Sequence, residues 1–83
     1  MTDEEVIDRL TDIFRDILDD DTIVLDPATT ASDVAGWDSA NHINIVVATE
    51  VRFAMRFTNG EIERLTNVGD FVRLIQNKLH GLG

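Results

Sequence analysis

The hydroxyl of Ser39 is the group in this 83-residue chain best placed to do chemistry, because few other reactive side chains accompany it. The chain has no cysteine, no tyrosine and a single lysine. Ser39 follows Asp38, where a loop meets the most apolar run of the sequence and a helix should begin. A serine at this point is most often a plain first-turn residue of the helix. It is also well placed to accept a phosphate, since the N–H groups and dipole of a helix N-terminus stabilise an anion.

The side chains of Asp38, Ser39 and His42 also invite comparison with the triad of a serine hydrolase. Ser39 and His42 lie one helical turn apart, but Asp38 directly precedes the serine and is poorly placed to orient that histidine. The local order Gly-Trp-Asp-Ser-Ala lacks the glycine pattern of a nucleophile elbow. We therefore expect the protein not to be an enzyme, and expect His42 to be an exposed residue that touches a partner or a bound group.

Four aspartates of one loop, Asp19, Asp20, Asp21 and Asp26, are the residues most suited to a divalent cation. They lack the alternate spacing and the central glycine of an EF-hand loop. We therefore predict no specific metal site.

The formal charge of −9, from 16 acidic and 7 basic residues, is the strongest signal in the composition. Nucleic acid and anionic membranes would repel such a chain. Partner enzymes with basic surfaces would be attracted at long range. The simpler interpretation is that the acidity only confers solubility.

The length and composition predict one domain, residues 1–83, with a small core. A hydrophobic content of 43% is enough for folding. No apolar stretch approaches the roughly 18 residues of a membrane span. The acidic N-terminus is unlike a signal peptide. The absence of cysteine fits a reducing compartment. We expect a cytoplasmic monomer.

The first segment, Asp3 to Leu18, has the periodicity of an amphipathic helix. Thr2 and Glu5 form a capping-box pattern, and the acids of the first turn suit the positive end of the helix. The apolar face is predicted to comprise Val6, Ile7, Leu10, Ile13, Phe14, Ile17 and Leu18.

A long loop is predicted from Asp19 to Trp37, anchored by Ile23, Val24, Leu25 and Val34. Loops of this length in small domains are often functional. Trp37 has two possible roles at its end, as a packing anchor or as part of a partner surface.

The second helix is predicted from Ser39 to Ala54, with Asp38 as its N-cap. Its β-branched residues would also suit a strand, but the length of the segment favours a helix. Its buried stripe is predicted to comprise Ile43, Val46, Val47, Phe53 and Ala54, and Met55 beyond it is expected in the core.

Two further helices complete the prediction. Thr58 and Glu61 form a second capping-box pattern, opening a short helix that reaches about Leu65. Asn67 or Thr66 caps the last helix, and Gly81 follows it as a stop. That helix runs from Val68 to Leu79, with Val68, Phe71, Val72, Ile75 and Leu79 as its apolar face. The predicted fold is all-α, a small bundle of three longer helices and one short helix, with a long loop between helices one and two.

This pattern resembles the acyl carrier protein family over nearly the whole chain. Family carriers typically show Asp-Ser-Leu followed by an apolar helix with a glutamate near its middle and a phenylalanine near its end. Asp38 and Ser39 match the first motif, Glu50 matches the glutamate and Phe53 matches the phenylalanine. The segment Leu-Thr-Asn-Val-Gly-Asp at 65–70 resembles the family's entry into the last helix.

The resemblance implies a carrier function. Ser39 would accept 4′-phosphopantetheine from coenzyme A, transferred by a separate phosphopantetheinyl transferase, and Asp38 would take part in recognition by that enzyme. The thiol of the arm would hold acyl or aminoacyl groups as thioesters. The implied partners also include an acyl or aminoacyl ligase and acyltransferases. Fatty acid, polyketide and amino acid cargo all remain open.

Several residues depart from the family pattern. Ala40 replaces the usual leucine, while Asn41, Asn44, Val51 and Arg52 stand where family members often carry acids or other polar residues. These differences favour a specialised member with a dedicated partner set. The predicted partner surface comprises Trp37, Ala40, Asn41, His42 and Arg52. The alternative hypothesis is a noncatalytic acidic adaptor without a prosthetic group.

Overall fold

The computed structural model describes residues 1–81, and it confirms the prediction of an all-α bundle with three longer helices and one short helix. The helices are α1 (Asp3–Leu18), α2 (Ser39–Phe53), α3 (Asn59–Glu63) and α4 (Val68–Leu79). One 3-10 turn, Ala31–Asp33, lies in the long loop and was not predicted. No strand occurs in the part of the chain that the structure describes.

The bounds of α1 and α4 agree with the prediction, and those of α2 and α3 are shorter. Helix α2 ends at Phe53 because Ala54 takes a left-handed conformation with φ of 53°. The N–H of Ala54 donates to the carbonyls of Glu50 and Val51, so it closes the helix instead of extending it. Helix α3 ends at Glu63, short of the predicted Leu65.

Side-chain caps fix the starts of α1 and α3. The Thr2 hydroxyl accepts from the Glu5 N–H at 3.2 Å, and the Glu5 carboxylate accepts from the Thr2 N–H at 2.9 Å. Thr58 and Glu61 make the same reciprocal pair. The Thr58 backbone N–H, assisted by Lys78, lowers the pKa of Glu61 below its ordinary value. Both predicted capping boxes are therefore confirmed.

The N-cap of α4 is Asn67, which resolves the choice between Asn67 and Thr66. The Asn67 side chain accepts from the Asp70 N–H at 2.8 Å. Thr66 instead donates its hydroxyl and N–H to the Asp70 carboxylate, and these bonds lower the pKa of Asp70. At the other end, Gly81 has a φ of 74°, as a glycine that stops a helix often does.

The core forms where α1 packs against α2 and α4, with the long loop closing one side. It draws its buried apolar residues from all three longer helices and from the connecting segments. They are Val6, Leu10, Ile13, Phe14, Ile23, Leu25, Val34, Trp37, Ile45, Val46, Phe53, Phe57, Val68, Phe71, Val72 and Ile75. Met55 is partly buried against this core, as predicted.

The long loop is held against the start of α4 by backbone hydrogen bonds. The Thr29 carbonyl accepts from the Val68 N–H, and the Pro27 carbonyl accepts from the Gly69 N–H, both at 2.9 Å. A Cβ on Gly69 would lie 2.9 Å from the Pro27 oxygen, so only glycine allows this approach. The loop is thus fixed well before it reaches Trp37.

Five residues that were predicted to be buried or part of an apolar face lie at the surface. On α2, Ile43 and Val47 are each 52% exposed, and Ala54 beyond its end is also exposed. Val24 in the loop and Leu79 at the end of α4 are exposed as well. Val46 and Phe53 are buried, as predicted for α2. The prediction was wrong for the other three residues because the face that α2 turns to the core carries Ile45, Val46, Thr49 and Phe53.

Candidate functional site

Ser39 is the first residue of α2, and its side chain is exposed. Asp38 before it has an extended backbone, and its carboxylate accepts from the Asn41 N–H at 2.9 Å. Asp38 is therefore the N-cap of α2, as predicted. This cap places the Ser39 hydroxyl on the first turn of the helix, where an enzyme can reach it.

The first turn of α2 suits a phosphate ester at Ser39. The first N–H groups of a helix have no partner within it, and here Asp38 satisfies only that of Asn41. The N–H groups of Ser39 and Ala40 remain at the positive end of the helix dipole. The first turn itself contains no acidic residue, and the adjacent carboxylate, that of Asp38, is engaged with the Asn41 N–H. The residues present therefore fit a phosphate-linked group.

A tight turn leads into this site. Gly36 has a φ of 87°, and its carbonyl accepts from the Asp38 N–H at 2.9 Å. The Asn41 side chain donates to the same carbonyl at 2.8 Å. Asn41 therefore ties the turn to the first turn of α2, a structural role that the sequence analysis missed.

Trp37 and His42, on either side of Ser39 in the sequence, form a hydrogen-bonded pair. The Trp37 side chain is only 6% exposed and meets the Phe14 ring edge to face at 4.8 Å, so it serves as a packing anchor. Its Nε1–H donates to His42 Nδ1 at 3.0 Å. His42 is partly buried between the rings of Trp37 and Phe71. The expectation that His42 is exposed was therefore wrong, because the hydrogen bond from Trp37 holds the His42 ring against the core.

The Trp37–His42 hydrogen bond is incompatible with a catalytic triad of Ser39, His42 and Asp38. Because Trp37 Nε1 can only donate, His42 Nδ1 must accept, and neutral His42 carries its ring proton on Nε2. In a catalytic triad that Nδ1–H donates to the orienting carboxylate. Here the nitrogen accepts from an indole, so Asp38 has no role in orienting His42.

An open depression of about 470 Å³ lies beside Ser39, between α2 and α3. Ser39 and Asp38 form part of its rim. Its apolar lining includes Ile43 from α2, Ile62 from α3 and Leu65 after α3. A group attached to Ser39 would therefore have an apolar surface within immediate reach.

The remaining residues of the predicted partner surface lie in two places. Ala40 is exposed next to Ser39. Arg52 lies near the other end of α2, where its guanidinium is 3.8 Å from the Asp12 carboxylate of α1. Both of these charged side chains are about half exposed, so the pair is weak.

Residues 1–81 have neither a cluster of metal ligands nor a helix suited to a membrane. No group of three or more histidine or acidic side chains has an arrangement that could hold a metal ion. None of the helices has both the length and the apolar character needed to cross a membrane.

Fold and site together define a small helical domain that presents a serine hydroxyl at a helix start. The chain is 30% identical over 77 residues to an acyl carrier protein from Acidothermus cellulolyticus, across 93% of this chain and 92% of that one. The solution structure of a holo acyl carrier protein from Geobacter metallireducens matches with a TM-score of 0.83 and 46% identity. That match covers 89% of this chain and 85% of the other. No family model matches the chain. The chain belongs to the acyl carrier protein family.

Family membership confirms three of the predictions made from the sequence. The protein is a carrier of acyl intermediates, it is not an enzyme, and its prosthetic group is a covalently attached 4′-phosphopantetheine. The thiol of that group supplies the thioester chemistry that a chain without cysteine lacks.

Proposed function

We propose that Ser39 carries the 4′-phosphopantetheine arm and that the protein presents acyl intermediates on it to the enzymes of a dedicated pathway. The observation that carries the proposal is the exposed Ser39 hydroxyl, one residue after the Asp38 N-cap, at the start of α2. Coenzyme A would be the donor. A bond would form between Ser39 Oγ and phosphorus, the pyrophosphate linkage would break, and adenosine 3′,5′-bisphosphate would leave as the serine loses its proton.

The surface of α2 supports a specialised pathway over general fatty-acid synthesis. The helix contains one acid, Glu50, and one base, Arg52, and the residue after Ser39 is the small Ala40. Enzymes of general fatty-acid synthesis that recognise acidic helices would find few carboxylates on α2. Their binding to this protein would therefore be weak. An acyl or aminoacyl ligase and acyltransferases of one pathway would be the partners, and fatty acid, polyketide and amino acid cargo are all compatible with the arm.

We also propose a domain organisation, a cellular location and an oligomeric state for the protein. We take residues 1–83 as one carrier domain that acts as a cytoplasmic monomer. This assignment follows from the small single core, the reducing compartment that a chain without cysteine suits, and the negative charge that opposes self-association.

The direct test is the intact mass of the protein after incubation with coenzyme A, Mg²⁺ and a broad-specificity phosphopantetheinyl transferase. Wild type should gain one phosphopantetheinyl group, and Ser39→Ala should gain none. Ser32→Ala, a change of the exposed serine in the 3-10 turn, is the matched control and should be modified like wild type. A gain by Ser39→Ala would refute the assignment. No gain by wild type with several transferases would favour the adaptor without an arm.

Asp38 can be tested separately as a recognition residue. Asp38→Asn keeps an oxygen that accepts from the Asn41 N–H, so the helix should remain capped. The same substitution removes the negative charge beside Ser39. We propose that the transferase uses this charge, and expect modification to slow at least about tenfold, a change worth about 1.4 kcal/mol, while the melting temperature stays unchanged. Equal rates for both proteins would limit Asp38 to its capping role.

A further inference from the structure

The hydrogen bond between Trp37 and His42 holds the end of the long loop against the start of α2. Trp37 Nε1–H donates to His42 Nδ1 at 3.0 Å, and the Trp37 side chain is almost fully buried. Only residues 38–41 separate the two partners in the sequence, and Ser39 is one of them. The bond therefore closes a short segment of chain that contains the exposed serine.

This hydrogen bond can form only while His42 is neutral. The indole N–H can only donate, so His42 Nδ1 must supply the lone pair that accepts. An imidazolium carries a proton on both ring nitrogens, which would set an Nδ1–H against the indole N–H. A glutamine could accept the same bond without titrating, whereas histidine changes its charge between about pH 5 and pH 8.

The elements packed around the pair offer a positive charge on His42 little compensation. Phe71 of α4 meets the His42 ring edge to face, with the ring centroids 6.1 Å apart. Phe14 of α1 packs against Trp37 on the other side. His42 is also the fourth residue of α2, near the positive end of the helix dipole, which opposes a further positive charge.

The charged groups that face His42 are carboxylates that do not bind it. Asp38 and Glu63 line the same open depression as His42. The Asp38 carboxylate is engaged with the Asn41 N–H, and within residues 1–81 neither acid forms an ion pair with His42. The net charge of −9 favours proton uptake by any histidine of this chain. His80, exposed after the end of α4, experiences that net charge without the tryptophan and is the natural reference.

We propose that the Trp37–His42 bond is a proton-sensitive joint, which holds the loop to α2 while His42 is neutral and opens when His42 takes up one proton. In the folded protein the imidazolium loses this bond, whereas in the unfolded chain it has no such bond to lose. The unfolded state therefore takes up the proton more readily, and stability falls as the pH falls through the range in which histidine titrates. The segment that loosens contains Ser39, so acidification would disturb the presentation of that serine.

The melting temperature of the full chain as a function of pH tests the joint. From about pH 7.5 to about pH 5.5, that of wild type should fall by at least about 4 °C, as the loss of one buried hydrogen bond does in a domain of this size. Carboxyl groups contribute little here, because their ordinary pKa values are about 4. His42→Gln keeps an acceptor for the indole and should fall by less than about 2 °C. The matched control His80→Gln should fall like wild type.

NMR of the single tryptophan gives a local measurement of the same event. In wild type, the indole N–H signal of Trp37 should shift with the same midpoint as the ring signals of His42, because one proton breaks the bond that joins them. In His42→Gln the indole signal should not change over this pH range. In His80→Gln it should change as in wild type.

The outcomes decide the inference independently of whether Ser39 carries an arm. Equal falls in melting temperature for wild type and His42→Gln would overturn it. An indole signal that stays constant while the His42 ring takes up its proton would do the same. If circular dichroism shows that His42→Gln does not fold, Trp37→Phe removes the donor instead and keeps the histidine. Its melting temperature should also fall less than that of wild type, and an equal fall would again overturn the inference.

Discussion

At the scale of single residues, the site depends on side chains that hold Ser39 in place without reacting themselves. Asp38 caps the helix, Asn41 ties the Gly36 turn to it, and Trp37 anchors the turn in the core. His42 is the only hydrogen-bond acceptor for the Trp37 indole among residues 1–81. The Trp37–His42 bond therefore joins the end of the loop to the first turn of α2, which carries the proposed attachment point.

We predict that the Trp37–His42 bond stabilises the fold measurably. His42→Leu leaves the largely buried indole N–H without an acceptor and should lower the free energy of unfolding by about 1–2 kcal/mol. In the double variant His42→Leu/Trp37→Phe, the loss of unfolding free energy should be about 1 kcal/mol smaller than the sum of the two single losses. Urea unfolding measures all three. His80→Leu, at the exposed end of α4, should change stability by less than about 0.5 kcal/mol. Strict additivity would mean that the bond contributes nothing.

At the scale of elements, α2 combines an ordinary start with a strained end. Its N-cap is well formed, but its last turn is closed by Ala54 in the left-handed region, where most such positions carry glycine. A non-glycine residue there costs roughly 1–2 kcal/mol. Ala54 is exposed, so burial of its methyl group does not offset the cost of this conformation.

Ala54→Gly should therefore stabilise the protein, although glycine substitutions usually do the reverse. The relief of strain outweighs the added freedom of the unfolded chain, and we expect a net gain of about 0.5–1 kcal/mol in urea unfolding. Ala40→Gly makes the same chemical change inside the first turn of α2. It should lower stability by up to about 1 kcal/mol. Effects of the same sign at both positions would contradict the conformational explanation.

At the scale of the whole molecule, charge is distributed very unevenly along the chain. Residues 1–38 contain 12 acids and 2 bases, while residues 39–83 contain 4 acids and 5 bases. One of the two bases in the first part, Arg15, donates through Nε to the Ile23 carbonyl, so it helps to hold the loop against α1. The acids of α1 and the loop consequently repel one another with little local compensation.

Salt should therefore stabilise the fold. From about 10 mM to about 1 M NaCl the screening length falls from about 30 Å to about 3 Å, which removes repulsion between most of these acids. If screening contributes about 1 kcal/mol, the melting temperature should rise by about 4–8 °C. Divalent cations should act in the same direction at lower concentration. Thermal melts followed by circular dichroism measure this, and a melting temperature that is flat or falls with salt would mean that the charges are balanced locally.

Most of the fold and the position of the proposed site could be predicted from local patterns in the sequence. Helices α1 and α4 follow from a period of apolar residues and from caps encoded within four residues, such as Thr2 with Glu5. Asp38 before Ser39 marks a helix start for the same reason, since capping is a local interaction. The family pattern then pointed to Ser39 within that start.

The side of α2 that is buried depends on packing between helices and could not be predicted from the sequence. Apolar residues occur almost all the way round this helix, so its sequence does not distinguish a face for the core from one for solvent. Packing against α1 selected Ile45, Val46, Thr49 and Phe53, and it left Ile43, Val47 and Val51 outside. The Trp37–His42 pair likewise depended on where the loop settles against Phe14 and Phe71. Contacts between distant segments set both outcomes, and neither local periodicity nor a cap encodes such contacts.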